Sequence, residues 1–179
     1  MGISRLPGTT IEADLQNPKR ALQIFEPLFS AGGLVLSQVA SLTGMPTYQV
    51  QNWVKRGFIS PPKQKRYTLR QFSRIAIINM LRDSMQIEKI IALIRYLNGR
   101  PGDEVDDSEL YALFVELAAH TVTDDGYDGA ALERELTELE TRYGSDALTR
   151  LRHVLRIMIT AHASARLRHQ VERQMIEIN

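Results

Sequence analysis

The segment from Leu36 to Arg56 leaves room for one kind of local fold: two short helices joined by a tight turn. Gly44 and Pro46 interrupt the helical pattern in the middle of the segment, and Gly57 with Pro61 and Pro62 closes it off. Glycine accepts the left-handed backbone that ends a helix, and proline lacks the amide proton that a helix interior needs. Ser37 is expected to cap a first helix to Leu42, Thr43–Pro46 to form the turn, and Thr47 to cap a second helix to Arg56. Phe58 to Tyr67 is too rich in proline to be helical throughout and reads as a loop or small wing.

Helical spacing then resumes and dominates the rest of the chain. Thr68 with Gln71 forms a capping box, opening a helix to about Arg82 in which Leu69, Phe72, Ile75, Ile78 and Leu81 are apolar and Arg70 and Arg74 are left free. Ile87, Ile90, Ile91, Ile94 and Leu97 share a face up to a stop at Asn98 and Gly99 and should complete the core of this unit. Upstream, a helix from Pro18 to Ser30 is expected to break near Pro27, ahead of Gly32 and Gly33. Downstream, residues 100–107 read as an acidic linker. Leu110, Leu113, Phe114 and Leu117 mark one helix, and Leu132, Leu136, Leu139 and Tyr143 a second that Gly144 ends. From about Asp146 to Ile176 neither glycine nor proline occurs, which predicts a long final helix striped by Leu148, Leu151, Leu155, Met158, Ala165 and Met175.

Charge is segregated along the chain in a way that its net value of +1 conceals. Pro27 to Arg82 holds no Asp or Glu but eight cations: Lys55, Arg56, Lys63, Lys65, Arg66, Arg70, Arg74 and Arg82. Pro101 to Gly129 holds nine acids, Asp103, Glu104, Asp106, Asp107, Glu109, Glu116, Asp124, Asp125 and Asp128, and no Lys or Arg. A block of one sign creates a local field, and a positive block around a helical pair suits nucleic-acid phosphates.

The run Leu36-Ser37-Gln38-Val39-Ala40-Ser41-Leu42-Thr43-Gly44-Met45-Pro46 resembles the opening helix and turn of the MerR-like winged helix-turn-helix regulators of bacteria. Gly57-Phe58-Ile59-Ser60-Pro61 is similar to that family's Gly-Leu-Leu-x-Pro, where the wing begins, and Tyr67, Thr68 and Phe72 look like the tyrosine and helix that follow the wing. The resemblance covers Leu36 to Ile94. Gln51-Asn52-Trp53 stands where the family has Arg-Tyr-Tyr, and the stretch from Pro62 to Tyr67 is short and lacks the family's glycine.

The fold class expected is therefore mainly α: an N-terminal arm and helix (1–33), a winged helix-turn-helix domain (34–99), the acidic linker (100–107) and a helical domain (108–179) ending in the long helix. The second helix carries the inventory that reads base edges in a major groove, with Thr47, Gln51, Asn52 and Lys55 as candidate base contacts. Tyr48, Arg56, Lys63, Lys65, Arg66, Tyr67, Arg70 and Arg74 are candidate backbone contacts, Tyr67 on the strength of the resemblance. Trp53 is assigned to the core. Leu148, Leu151, Leu155, Met158, Ala165 and Met175 are expected to form a dimer seam, since such modules read two half-sites as pairs, the alternative being that the long helix packs only against Leu110 to Tyr143 within one monomer.

The expected function is a sequence-specific transcriptional regulator that binds double-stranded DNA as a homodimer on an inverted repeat. RNA polymerase or an effector is left as a further partner. The other class considered is a protein-interaction module that keeps the fold and docks partners through its acidic helices. The chain has no cysteine and no motif of a phosphate loop, zinc hydrolase or nucleophile elbow, so no enzyme, metal or cofactor is expected. His153, His162 and His169 read as ordinary surface or interface histidines. The spacing of Asp124-Asp125-Gly126-Tyr127-Asp128-Gly129 does not suit a calcium loop, which leaves it as a helix connection. With no apolar run long enough to span a bilayer and no signal-peptide pattern at Met1, a cytoplasmic, membrane-free protein is expected.

Overall fold

The computed structural model describes residues 3–98, 105–139 and 145–178, and it is mainly helical. The chain divides into two compact units. One comprises residues 1–80 and 106–116, the other residues 81–105 and 117–179. This division differs from a boundary at residue 99, because the helix beginning at Ile87 groups with the C-terminal helices.

The first unit begins with an antiparallel pair, β1 (Ile3–Arg5) and β2 (Glu12–Asp14), in which Ser4 faces Ala13. Two five-residue helices follow, α1 (Pro18–Leu22) and α2 (Phe25–Phe29). The interruption falls at Gln23 and Ile24 rather than at Pro27. Pro27 is the third residue of α2, and amides of a helix's first turn have no intrahelical acceptor, so the missing proton costs that helix nothing. Then come β3 (Leu34–Val35), α3 (Leu36–Thr43), α4 (Thr47–Lys55), β4 (Arg66–Tyr67) and α5 (Leu69–Leu81).

The N-terminal arm is part of this unit's core. Leu6 and Ile11 are buried, the buried Tyr111 donates its hydroxyl to the carbonyl of Pro7 at 2.7 Å, and Asn79 Nδ2 donates to the carbonyls of Gly8 (3.0 Å) and Thr43 (2.9 Å). An aromatic cluster of Phe25, Phe29, Phe72 and Tyr111, with neighbouring ring centroids 5.7–6.3 Å apart, joins α2 to α5 and α7 (Asp107–Thr121). Edge-on packing of this kind adds to the area that the rings bury.

The second unit is built on α9 (Ser145–Ile178), against which α6 (Ile87–Leu97) and the hairpin β5 (Val122–Thr123)–β6 (Gly126–Tyr127) pack. Asp124 and Asp125 form the hairpin turn, and Asp128 caps α8 (Gly129–Glu138) by accepting from the amides of Ala130 and Ala131. The acidic run is thus a hairpin and a helix cap. Leu132, Leu136 and Leu139 are buried, whereas Tyr143, Gly144 and most of the acidic linker, Arg100 to Glu104, lie outside the described residues. Gly99, half of the stop expected after Leu97, also lies outside them. Among the described residues no helix is long and apolar enough to cross a membrane.

His162 is largely buried on α9, and burial, aided by Arg166, lowers its pKa from the ordinary 6.5 to about 4. A folded pKa below the unfolded one means that the unfolded chain binds the extra proton between those two values, so stability falls as pH drops from 6.5 towards 4. Between pH 6.5 and pH 5 the loss should be about 2 kcal/mol. Urea unfolding of the parent and of His162→Asn at pH 7 and pH 5 checks this: the acid loss should shrink in the variant, and equal losses would refute it.

Candidate nucleic-acid interface

α3 and α4 are placed by their ends. Val35, not Ser37, is the N-cap of α3. Its amide donates to Gln38 Oε1 at 3.0 Å, but valine offers no acceptor in return, so Ser37 falls inside the first turn. Pro46 likewise precedes α4, leaving Thr47 as its first residue. Gly44, at φ +69°, ends α3 in the left-handed region, and its amide and that of Met45 both turn back to the carbonyl of Ala40.

One face of α4 is core: Val50 and Trp53 are 0% and 1% exposed. That fixes the orientation of the rest, and Thr47, Tyr48, Gln51, Asn52, Lys55 and Arg56 are all exposed, Tyr48 at 71%. Arg56 lays its guanidinium over the Phe58 ring, 4.4 Å from its centre, which holds that cation close to the surface.

The segment after α4 forms a small hairpin. Lys63 bridges Arg66, and β4 pairs antiparallel with β3, Leu34 facing Tyr67 and Val35 facing Arg66. Gln64 and Lys65 make the turn at φ +49° and +61°, a conformation that ordinary side chains adopt at a cost of order 1 kcal/mol each. The pairing brings Gly33 against Tyr67. A Cβ on Gly33 would lie 2.5 Å from the Tyr67 carbonyl oxygen, so the backbone approach requires glycine. Arg66 Nη1 donates to the Gly33 carbonyl at 2.9 Å, which gives that arginine a structural role at the hairpin.

Thr68 and Gln71 form the expected capping box, the Thr68 amide donating to Gln71 Oε1 at 2.8 Å and the Gln71 amide to Thr68 Oγ1 at 3.3 Å. Gln71 Nε2 also donates to the carbonyl of Ser60 at 2.8 Å, which ties the start of α5 to the loop leaving α4.

The candidate backbone contacts divide into two sets. Lys63, Lys65 and Arg66 are exposed on the hairpin, and Lys55 is exposed at the end of α4. Arg70 and Arg74, expected to be free, are engaged within the chain. Arg74 Nη2 donates to Asp107 Oδ1 at 3.0 Å with Nε 2.9 Å from Oδ2, and Arg70 Nε lies 3.4 Å from Asp106 and 3.6 Å from Asp107. The Asp107 side chain is 3% exposed, and a carboxylate buried to that extent needs its cationic partner in place. Tyr67 is buried too, 3% exposed, and its burial raises the hydroxyl's pKa. It is therefore a wall of the interface rather than a side chain reaching out from it.

Residues 33–114 match a family model described as a domain of unknown function (DUF1836). The matched segment opens at Gly33, whose carbonyl anchors Arg66, and runs through the hairpin and α5 to the Asp107 ion pair and on to Phe114. No curated protein and no solved structure matches the chain.

The seam on α9 is placed differently from expectation. Leu148, Leu151, Leu155, Met158 and Ala165 are each at most 8% exposed, in the core of their own unit, and of the expected set only Met175 is exposed, at 52%. The helix's solvent side carries other apolar residues: Ile157 (43% exposed), Leu167 (39%), Val171 (57%) and Ile178 (76%). His169 lies between Asp83 (3.1 Å) and Glu172 (3.0 Å), so it shares no site with the buried His162.

Proposed function

We propose that the DUF1836-like segment is a winged helix-turn-helix of MerR-like type and that the chain is a sequence-specific, DNA-binding transcriptional regulator of the cytoplasm. The observation that carries this reading is the division of α4. Its one face is locked into the core by Val50 and Trp53, and its other presents Thr47, Gln51, Asn52 and Lys55 beside a lysine-bearing hairpin without a single acid in the intervening sequence. A helix held rigidly with amide and cationic side chains outward suits base-edge recognition in a major groove, and the hairpin lysines suit the flanking phosphates. Lys65 supports it further, since it sets an exposed cation at the turn of the hairpin beside α4.

The regulator works as a homodimer on an inverted repeat. The solvent side of α9, with Ile157, Leu167, Val171 and Ile178, is the pairing face in place of the buried stripe. The acidic region is a poorer docking surface for a protein partner, because Asp106 and Asp107 are paired with arginines and Asp128 caps α8.

Selection of random genomic fragments by the purified chain tests the reading. An enriched palindrome should emerge, bound at least about a thousandfold more tightly than its scramble. Gln51→Ala should lose roughly 1–3 kcal/mol on the selected site and little on the scramble, because an amide side chain reads bases rather than phosphates. Equal losses on both sequences would remove Gln51 from base recognition, and no binding at low salt would defeat the function proposed.

A further inference from the structure

Beside the exposed face of α4 lies an open cavity of about 620 Å³, bordered by the start of α3, by α4 and by the hairpin. That volume is within the usual range of small-molecule sites. Its walls are apolar, formed by Val35, Leu36, Val54 and Pro62, and Lys55 and Lys65 are its cationic lining residues, with no acid among the residues that line it. Neither lysine has an ion-pair partner among the described residues.

The polar groups converge on one kind of ligand. Val35 gives α3 no side-chain cap, so the first-turn amides around Leu36 and Ser37 are uncapped donors with the positive end of the helix dipole behind them. Tyr67 lines the cavity as well. It is a buried residue whose hydroxyl has no hydrogen-bond partner among the described residues and is a donor at neutral pH. Donors and cations alone would suit any phosphate, but a bare phosphate leaves the apolar walls facing water. A molecule with an anionic head and an apolar body satisfies both.

We propose that this cavity binds a small aliphatic carboxylic acid, with its carboxylate held by Lys55, Lys65 and the Tyr67 hydroxyl and its chain laid on Leu36, Val54 and Pro62. Because Gln51, Lys55 and Lys65 also belong to the DNA surface, an occupied cavity and bound DNA exclude one another, and this consequence rests on the function proposed above.

Sodium octanoate titrated calorimetrically into the full chain is the test, with 1-octanol and inorganic phosphate as the two halves of its chemistry. Octanoate should saturate one site per chain, and each half should bind at least about tenfold more weakly. Lys55→Met, at an exposed position, and Tyr67→Phe, which keeps the buried ring, should each weaken octanoate several-fold. Val54→Trp, which fills the cavity, should abolish its binding. Phosphate binding as tightly as octanoate, or octanoate binding unchanged in Lys55→Met, would overturn the proposal. With DNA present, saturating octanoate should weaken the selected site about tenfold, and an unchanged affinity would overturn the mutual exclusion. A chain that takes octanoate but no DNA keeps the cavity and loses the regulator; a chain that binds DNA but not octanoate does the reverse.

Discussion

Gly8→Ala should unfold the first unit more readily by about 3–5 kcal/mol, the largest loss expected of a methyl group added at any glycine among the described residues. Two costs combine there. Gly8 sits at φ +73°, where an L side chain is strained by roughly 1–2 kcal/mol. A Cβ at that position would also lie 2.1 Å from the carbonyl oxygen of Ala76 and 2.8 Å from its carbonyl carbon. Both atoms are backbone in the middle of α5, so no rotamer change relieves the overlap, and the arm or the helix must move. Moving the arm strains the bonds by which Asn79 holds Gly8 and Thr43 and Tyr111 holds Pro7. Gly57→Ala supplies the control, since Gly57 has a matching φ of +74° with nothing within 4 Å of an added Cβ. It should lose only the backbone term. Urea unfolding of both variants measures the difference, and equal losses would show that the arm is not packed as described.

What the sequence made legible, and what it hid, follows from how far apart the partners are. The α3–α4 pair is written in neighbouring residues: Gly44, Pro46 and Gly57 set its turns, and the opposed faces of α4 follow from its periodicity. The Thr68 and Gln71 box spans four residues and is equally readable. The candidate base contacts therefore fall on the exposed face, as their spacing implies. Arg70 and Arg74 depart from what their local context suggests, because the acids that engage them lie more than thirty positions downstream. No local pattern says that a cation on one helix is matched to the first turn of another. Gly8 reads as an ordinary turn glycine for the same reason: what forbids a side chain there is Ala76. The stripe on α9 shows a different limit. Apolar spacing marks the residues that are covered, but not whether the cover comes from the same chain or a second copy. Leu151 and Leu155 are covered by their own unit.

The division of the basic residues makes the sharpest test of the interface. Replacing Lys55, Lys63 and Lys65 together by alanine should flatten the dependence of log affinity on log salt by roughly 2.7, about 0.9 for each phosphate no longer neutralised. The losses from Lys63 and Lys65 should fall alike on the selected site and its scramble, since the phosphate contacts proposed for them read no sequence, whereas Lys55, on the face proposed to read bases, should add a loss on the selected site. Arg66 is left out of the set because its bond to the Gly33 carbonyl also holds the hairpin, so its removal would disturb the fold as well as the charge. Arg70→Ala is the informative contrast. Arg70 belongs to the same positive block, but Asp106 and Asp107 already oppose its charge, so its removal should leave the salt slope nearly unchanged. Arg74 is unsuited to that comparison, because losing it would strand the buried carboxylate of Asp107 and cost stability directly. A slope that falls as much for Arg70 as for Lys65 would mean that DNA displaces the aspartates and draws the arginine out. A slope unmoved by the triple replacement would take the hairpin off the DNA altogether.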